Sequence, residues 1–156
     1  MPSILFVCTA NQCRSPMAAS MFSRYLADYE WTVPWRVESA GTWTQSGLGV
    51  DRRCLALAQG LEIDLSAHKT VSIVELDVSI YDWIAVMERG HQEALLLESP
   101  ALKGKVHLMT SLAGFPPSDI PDPLAMDTDT ARSILLDMRD CARLIAKRIA
   151  TGGLVA

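Results

Sequence analysis

The sequence lacks the signatures of several protein classes. It has no Cys-x2-Cys pair, the usual element of a zinc site, and no Gly-x4-Gly-Lys-Ser/Thr loop, which a Walker-type nucleotide site requires. Its longest apolar runs, such as Ile4–Val7 and Ala94–Leu97, are far shorter than the roughly 20 residues of a membrane span. It also contains no internal repeat and no low-complexity tract. We therefore expect no metal, no cofactor and no association with a membrane.

An excess of positive charge is absent as well. The 156 residues include 14 lysines and arginines against 18 aspartates and glutamates, which gives a formal net charge of -4. An acidic chain is a poor candidate for a nucleic-acid binder, so we expect no nucleic-acid partner. Hydrophobic residues make up 49% and charged residues 21%, which is typical of a globular protein. The length fits a single domain over residues 1–156.

The N-terminus offers no sign of secretion. Met1–Ser3 lacks the basic region of a signal peptide, and the apolar run that follows is too short for one. We therefore expect a cytoplasmic protein, in which thiols stay reduced. The four cysteines, Cys8, Cys13, Cys54 and Cys141, are then structural, redox-active or catalytic thiols. Cys54 and Cys141 are expected to pack inside predicted helices.

Apolar patterning predicts alternating strands and helices. Ser3–Val7 is a continuous apolar run, typical of a strand buried on both faces of a parallel sheet. Ser15 as N-cap and Pro16 at the first position predict a helix to about Asp28. The alternation continues with strands at about Trp35–Ser39, Asp82–Met87 and Lys105–Met109, and helices at about Asp51–Gln59, Arg89–Leu97 and Thr128–Ala150. Such an order predicts an α/β three-layer sandwich, with a central four-stranded parallel sheet and helices on both faces.

The turn between the first predicted strand and helix has the composition of an anion-binding site. Unpaired backbone N–H groups at a helix N-terminus favour an anion, and the guanidinium of Arg14 matches two phosphate oxygens at once. The same field favours the thiolate of Cys8. We interpret the turn as a nucleophile in an oxyanion cradle. It reads Cys8-Thr9-Ala10-Asn11-Gln12-Cys13-Arg14-Ser15.

Each of these residues alone has a simpler interpretation. Cys8 could be a core residue that closes the strand, since cysteine is among the most buried residue types, and Arg14 could be a surface charge. The joint occurrence of a cysteine, five residues, an arginine and a serine at a strand-to-helix turn favours the catalytic interpretation.

The segment Cys8-x5-Arg14-Ser15-Pro16, after the run Ile4–Val7, closely resembles the signature of the low-molecular-weight protein tyrosine phosphatases. Four later blocks resemble that family in its own order, and five ordered blocks are far more specific than Cys-x5-Arg alone. These later blocks are Glu38–Thr42, Gly60–His68, Asp82–Met87 and Asp122-Pro123. The resemblance implies a metal-independent phosphatase that hydrolyses phosphotyrosine or other aryl phosphate monoesters through a cysteinyl-phosphate.

The resemblance also implies roles for residues of the loop. Cys8 is the nucleophile, Arg14 binds the phosphate and steadies the transition state, and Ser15 donates to the Cys8 thiolate. Asn11 holds the shape of the loop. The phosphate-binding loop as a whole comprises Thr9, Ala10, Asn11, Gln12, Cys13, Arg14 and Ser15.

Residues outside the loop receive roles in the same way. Ser39 and His68 support Asn11 through hydrogen bonds, although each could also be a purely structural residue. Asp122 is the general acid for the leaving phenolate and then the base for water, since a carboxyl on a Pro-rich loop can reach the cradle from outside. Asp122 before a proline could equally be a turn residue. Its nearby rivals are Asp119, Asp127 and Asp129.

Three features depart from the family pattern or remain open. Ala10 stands where the family usually has glycine, which strains the loop only if that position needs a positive φ. Family members often carry aromatic residues after the Asp-Pro pair, and their absence leaves Trp43 either as the wall of the substrate site or as half-buried scaffold. The analogy also suggests a reversible Cys8–Cys13 disulfide, with simple packing of Cys13 as the alternative.

The expected partners are a phosphotyrosine protein or a small aryl phosphate, with inorganic phosphate as product. Two other functions remain open. Arsenate reduction on the related fold would need further cysteines near the loop, and Cys54 and Cys141 are distant in sequence. A non-catalytic phosphate- or phosphoprotein-binding module is the other alternative, because the residues after Asp122 are altered.

Overall fold

The structure is a computed structural model that describes residues 1–155. Its centre is a sheet of four strands, all parallel, in the order β2-β1-β3-β4. The strands are β1 (Ser3–Cys8), β2 (Arg36–Gly41), β3 (Trp83–Val86) and β4 (Val106–Leu108). The predicted four-stranded parallel sheet is therefore confirmed, with strand bounds that differ by one or two residues.

Within residues 1–155, five α-helices accompany the sheet. They are α1 (Arg14–Leu26), α2 (Arg52–Gln59), α3 (Arg89–Glu98), α4 (Met109–Ala113) and α5 (Thr128–Ala150). Single 3₁₀ turns lie at Ile73–Glu75, Val78–Ile80, Pro100–Leu102 and Pro123–Ala125. None of the helices in residues 1–155 has the length and apolar character needed to cross a membrane.

Alternate side chains of β1 point into two separate cores. Ile4 and Phe6 belong to a core that also contains residues of α1, α2, α4 and α5. Leu5 and Val7 belong to a second core, which contains Leu95 of α3. Every residue of β1 is buried, which explains its continuous apolar run. Helices therefore cover both faces of the sheet, as the sequence predicts.

The carboxyl end of β1 lies at the point where the strand order reverses. β1 pairs with β2 on one side and with β3 on the other, and all three strands run in the same direction. Ligands of open parallel sheets bind beyond this edge. The segments that follow β1 and β3, residues 8–15 and 87–91, are therefore brought together there.

The first helix begins earlier than the sequence predicts. α1 starts at Arg14, its N-cap is Cys13, and Ser15 is the second helical residue rather than the cap. The predicted N-cap role of Ser15 is therefore wrong. The physical reason is that the Ser15 hydroxyl is engaged with Cys8 and Asn11 at the sheet edge.

Glycine at the end of β2 lets the backbone approach the loop after β1. A Cβ atom on Gly41 would lie 2.6 Å from the carbonyl oxygen of Thr9, closer than side chains can approach a backbone oxygen. The neighbouring backbone groups also bond to each other, since the N–H of Thr42 donates to Cys8 O and that of Trp43 to Thr9 O, both at 2.9 Å. The block Glu38–Thr42 thus forms one wall of the loop.

Candidate active site

The Cys8 thiol lies at the end of β1 and is 3% exposed. Its Sγ is 2.9 Å from Ser15 Oγ and accepts a hydrogen bond from the backbone N–H of Asn11 at 3.3 Å. Ser15 Oγ accepts from Asn11 Nδ2, so its single proton is available to Cys8 Sγ or to the Ala40 carbonyl. The Cys8 sulfur is therefore in contact with one N–H donor and one hydroxyl that can donate to it.

Asn11 organises the loop from a fully buried position. Its φ is 55°, the left-handed region that asparagine tolerates better than most residues. Its Nδ2 donates to Ser15 Oγ and to Ser39 Oγ, and its Oδ1 accepts from the N–H of Val71 at 2.8 Å. Ala10 has no positive φ, so alanine in place of glycine does not strain the loop.

His68 contacts the same residue through the backbone. Its Nε2 lies 2.9 Å from the Asn11 carbonyl oxygen, so this nitrogen carries the proton and donates. Burial lowers the pKa of His68 below its ordinary value, and the bond to the Asn11 carbonyl opposes that shift in part. Ser39 and His68 therefore both reach Asn11, in the positions that the resemblance implies.

Arg14 is buried, with 5% of its surface exposed. Its Nη1 donates to the Ile120 carbonyl at 2.8 Å and lies 3.2 Å from Glu88 Oε2. The alternative of a solvated surface charge is therefore wrong. A guanidinium has five N–H donors in one plane, so these two contacts orient the group and leave others for an oxyanion at the loop.

The sequence interpretation missed two residues that follow β3. Glu88 pairs with Arg14, and His91 Nε2 lies 2.8 Å from Thr9 Oγ1. His91 Nδ1 accepts the backbone N–H of Glu88 at 3.1 Å, so the proton of the neutral ring is on Nε2, which donates to Thr9. A signal was present, since Glu88-Arg89-Gly90-His91 directly follows a predicted strand, where parallel sheets place their ligand contacts.

The electrostatic surroundings keep His91 neutral. Burial lowers its pKa, and so does the positive charge of Arg14. The negative charges of Glu88 and Asp119 oppose that shift in part. Protonation of Nδ1 would also remove the acceptor for the Glu88 N–H.

Asp122 lies on an exposed segment that the structure connects to the loop. The carboxylate caps the 3₁₀ turn Pro123–Ala125, and its Oδ1 accepts the N–H of Leu124 at 3.0 Å. Two residues earlier, the Ile120 carbonyl is bound by Arg14. The turn interpretation therefore holds for Asp122, and its segment contacts the loop through Ile120.

The rival carboxylates have other partners or positions. Asp119 Oδ1 accepts the N–H of Arg89 at 2.8 Å, at the start of α3. Asp127 caps α5, and hydrogen bonds from Thr130 lower the pKa of this carboxyl. Asp129 lies in the first turn of α5. Of the four, Asp122 is the carboxylate that follows Ile120, the residue bound by Arg14, by two positions.

Trp43 is 84% exposed. The alternative that it is half-buried scaffold is therefore wrong. Its backbone N–H donates to the Thr9 carbonyl, which places the residue beside the loop. Gln12 of the loop is held by the segment after β2, because its Nε2 donates to the Gly49 carbonyl at 3.1 Å.

The cysteines pair differently from the expectation. Cys13 forms a disulfide with Cys54, with 5.6 Å between the two Cα atoms, while Cys8 is a free thiol. The suggested Cys8–Cys13 disulfide is therefore absent here, and Cys54 is not a simple packing residue. Cys13 caps α1 on the side that faces α2, whose Cys54 is fully buried. Cys141 is buried in α5 as expected, and burial with nearby Asp137 and Asp140 raises its pKa to about 11.

No group of three or more His, Cys, Asp or Glu side chains in residues 1–155 is arranged to hold a metal ion. The site that the structure assembles consists of a thiol, a buried guanidinium and backbone N–H groups, with the exposed carboxylate of Asp122 on the segment bound by Arg14. This arrangement can bind an oxyanion, attack it and transfer a proton.

Comparisons with known proteins agree with this arrangement. A family model described as "Low molecular weight phosphotyrosine protein phosphatase" matches residues 3–152. The chain is 31% identical over 147 residues to the low molecular weight protein-tyrosine-phosphatase Wzb of Escherichia coli K12, covering 94% of this chain and 95% of the relative. It is 26% identical over 151 residues to the protein-arginine-phosphatase of Geobacillus stearothermophilus, covering 95% and 96%. The crystal structure of Wzb from Escherichia coli K30 in complex with sulphate superposes with a TM-score of 0.82 at 25% identity, covering 94% of this chain and 97% of that one.

Proposed function

Because this chain belongs to the low-molecular-weight protein tyrosine phosphatases, a family of metal-independent hydrolases, we propose that Cys8 is its nucleophile and that it hydrolyses aryl phosphate monoesters. A phosphorylated substrate and inorganic phosphate as product follow from the family. The observation that carries the residue assignment is the pair of donors on Cys8 Sγ, from Ser15 and Asn11, beside the buried Arg14.

In the first step the Cys8 thiolate attacks phosphorus, and a sulfur–phosphorus bond forms as the ester bond breaks. The Arg14 guanidinium and the loop N–H groups hold the non-bridging oxygens. Because these donors are already in place, they stabilise the charge of the transition state without reorganising. Protonated Asp122 gives its proton to the departing phenolate oxygen, so the phenol leaves uncharged.

In the second step water attacks the phosphorus of the cysteinyl-phosphate. The Asp122 carboxylate accepts a proton from that water, and the sulfur–phosphorus bond breaks. Cys8 leaves as a thiolate, which the Ser15 hydroxyl and the Asn11 N–H stabilise. Phosphate departs, and Asp122 is again protonated for the next cycle.

Hydrolysis of 4-nitrophenyl phosphate in the presence of a chelator tests this proposal. We expect turnover by the unmutated chain and a loss of at least about 10⁴-fold in Cys8→Ser, because the nucleophile is removed. Cys141→Ser, which removes the other free thiol, is the matched control and keeps the activity. Full activity of Cys8→Ser would end the proposal, and binding of a phosphotyrosine peptide without hydrolysis would indicate the non-catalytic module.

For the substrate we propose phosphotyrosine in a protein or a small aryl phosphate. Exposed Trp43 supports this choice, because an indole beside the loop can stack on a phenyl ring. The residues after Pro123, Leu124–Met126, have no aromatic ring, and one relative is named a protein-arginine-phosphatase. Phosphoarginine is therefore the competing substrate. We expect kcat/KM to be higher for a phosphotyrosine peptide than for the same peptide with phosphoarginine, and the reverse order would overturn the choice.

Arsenate reduction is a second candidate, favoured by the Cys13–Cys54 pair. The Cys8 thiolate would displace hydroxide from arsenate to form a sulfur–arsenic bond. Cys13 would then attack the Cys8 sulfur, and the sulfur–arsenic bond would break with its electron pair on arsenic, so that As(V) leaves as As(III) and the two thiols become a disulfide. The Cys54 thiolate would then attack the Cys13 sulfur, which forms the Cys13–Cys54 disulfide and releases Cys8 as a thiolate. Arsenate turnover coupled to thioredoxin, lost in Cys54→Ser, would support this function. Absence of that turnover in a chain that hydrolyses aryl phosphates would exclude it.

We also propose a cytoplasmic location. The chemistry assigned to Cys8 needs a free thiol, which a reducing compartment preserves. In that compartment a disulfide such as Cys13–Cys54 would form under oxidising stress and be reduced afterwards. Cell fractionation with detection of the native protein tests the location.

A further inference from the structure

The first turn of α2 is fixed to the phosphate-binding loop. The backbone N–H of Asp51 donates to the Gln12 carbonyl at 3.3 Å, and Cys54 is bonded to Cys13. The Asp51 side chain caps the helix by accepting the N–H groups of Arg53 at 2.8 Å and Cys54 at 3.3 Å. The position of α2 relative to the loop is thus set by a hydrogen bond and a covalent bond.

From this turn, Arg53 reaches the segment that carries Asp122. Its Nη1 donates to the Leu124 carbonyl at 2.9 Å and lies within 3.5 Å of the Pro123 carbonyl, and its Nη2 donates to the Met126 carbonyl. The Asp122 carboxylate in turn accepts the Leu124 N–H. One planar guanidinium therefore holds three carbonyls of the turn to which the carboxylate is bonded.

The location of Arg53 is unfavourable for the helix itself. A cation in the first turn opposes the helix dipole, and the only compensating carboxylate at this end of α2 within residues 1–155 is the N-cap Asp51. The carbonyls at the end of a helical turn attract a cation. Arg53 offsets this electrostatic cost to the helix through its hydrogen bonds to the carbonyls of Pro123, Leu124 and Met126. These contacts indicate that Arg53 serves the neighbouring turn rather than α2.

We propose that Arg53 is a positioning residue for Asp122. It fixes the distance between the proton donor and the Cys8 thiolate by joining the Asp122 turn to a helix that is itself joined to the phosphate-binding loop. The proposal rests on the proposed function, since it takes Asp122 as the general acid.

The nature of the leaving group makes the proposal testable. 4-Nitrophenolate is a good leaving group and needs little protonation, whereas phenolate is a poor one and depends on the acid. A displaced Asp122 therefore slows formation of the cysteinyl-phosphate much more from phenyl phosphate than from 4-nitrophenyl phosphate, whereas hydrolysis of that intermediate is common to both substrates. A general loss of folding or of phosphate binding would lower both rates together.

The experiment measures kcat/KM, which reports the steps up to departure of the phenol, for both substrates in Arg53→Met, Arg53→Lys and the control Arg52→Met. Arg52 is the exposed neighbour in the same turn, and it makes no side-chain hydrogen bond or ion pair within residues 1–155. We expect Arg53→Met to lower kcat/KM about 10-fold more for phenyl phosphate than for 4-nitrophenyl phosphate, which is a smaller effect than complete removal of the general acid. Arg53→Lys keeps the charge but has one donor nitrogen in place of two and gives an intermediate ratio, and Arg52→Met leaves both rates unchanged.

Asp122→Asn and the double variant Arg53→Met/Asp122→Asn separate this proposal from the function on which it rests. If Asp122→Asn does not change the ratio of the two rates, the assignment of the general acid is wrong. If Asp122→Asn changes the ratio but Arg53→Met does not, the assignment stands and the proposal for Arg53 is overturned. Where the proposal holds, Arg53→Met has no further effect on the ratio in the Asp122→Asn background. If Arg53→Met does not fold, the Arg53→Lys ratio decides in its place.

Discussion

The phosphate-binding loop and the segment that carries Asp122 meet at Arg14 but are held in different ways. In the loop, Asn11 and Ser15 are fully buried and bond to each other and to Cys8. Residues 114–119 and 121–122 are exposed, and Ile120 between them is anchored by Arg14. The anion-binding half of the site is therefore preorganised by its own buried polar groups. The acid half depends on contacts supplied by other elements.

The difference suggests a division of tasks. Groups that stabilise charge must be in place before the reaction, since their reorganisation would add to the barrier. A proton donor must admit substrate and release product, which an exposed segment at the surface allows. Substitutions in the two regions should therefore affect different steps, and the following predictions are ordered by the size of the expected effect on turnover.

Asn11→Ala should impair binding and turnover together. Alanine leaves the Val71 N–H and the Ser39 hydroxyl without their partner and disfavours the left-handed backbone. We expect kcat/KM to fall about 10³-fold and the unfolding free energy to fall by about 3 kcal/mol. Inhibition by vanadate and urea denaturation measure the two effects. Unchanged vanadate affinity would show that the loop does not depend on Asn11.

Asp122→Asn should impair turnover alone. The amide oxygen can still cap the turn at Leu124, so the fold is preserved, but no proton can be transferred. We expect kcat for phenyl phosphate to fall about 10²-fold, with little change in vanadate inhibition or in thermal stability. The matched control is Asp129→Asn in the first turn of α5. An equal loss in both variants would contradict the distinction between the two regions.

His91 should make the stability of the loop region depend on pH. Because burial and Arg14 lower its pKa in the folded state, the unfolded state binds a proton more readily, and the stabilising contribution of the neutral ring is lost as pH falls below about 6.5. His91→Gln can still donate to Thr9 but does not titrate. We expect a flatter dependence of Tm on pH for this variant.

His68 is the reference for the His91 measurement, since its pKa is also lowered by burial. His68→Gln should also flatten the dependence of Tm on pH. Its effect should be independent of that of His91→Gln, so the two effects should add in the double variant. A direct NMR titration of the imidazoles checks the origin of the effect. A His91 ring that is protonated at neutral pH, or that carries its single proton on Nδ1, would contradict the assignment.

Local sequence patterns predict the fold where burial is regular. β1 is buried on both faces, so its apolar run is continuous. α5 buries Leu135, Met138, Ala142 and Ile145 at helical spacing, and its predicted bounds are those of the structure. α4 was not predicted, because five residues give too short a pattern for a period to be recognised.

The site was predictable to the extent that its residues lie in one segment. Cys8, Arg14 and Ser15 come from a single turn with a specific spacing, and all three face the same anion-binding edge in the structure. The Cys13–Cys54 bond joins residues 41 positions apart, and no local pattern specifies such a pairing. Arg53 likewise acquires its partners only when α2 packs beside residues 123–126.

The central claim is that the reaction passes through a phosphate ester on Cys8. Asp122→Asn should accumulate this ester from 4-nitrophenyl phosphate, because the good leaving group departs without an acid while hydrolysis lacks its base. The measurement is rapid acid quench followed by peptide mass spectrometry. The account predicts phosphate on Cys8 in the peptide that contains the loop. Phosphate on another residue, or steady turnover with no phosphorylated peptide at all, would contradict it.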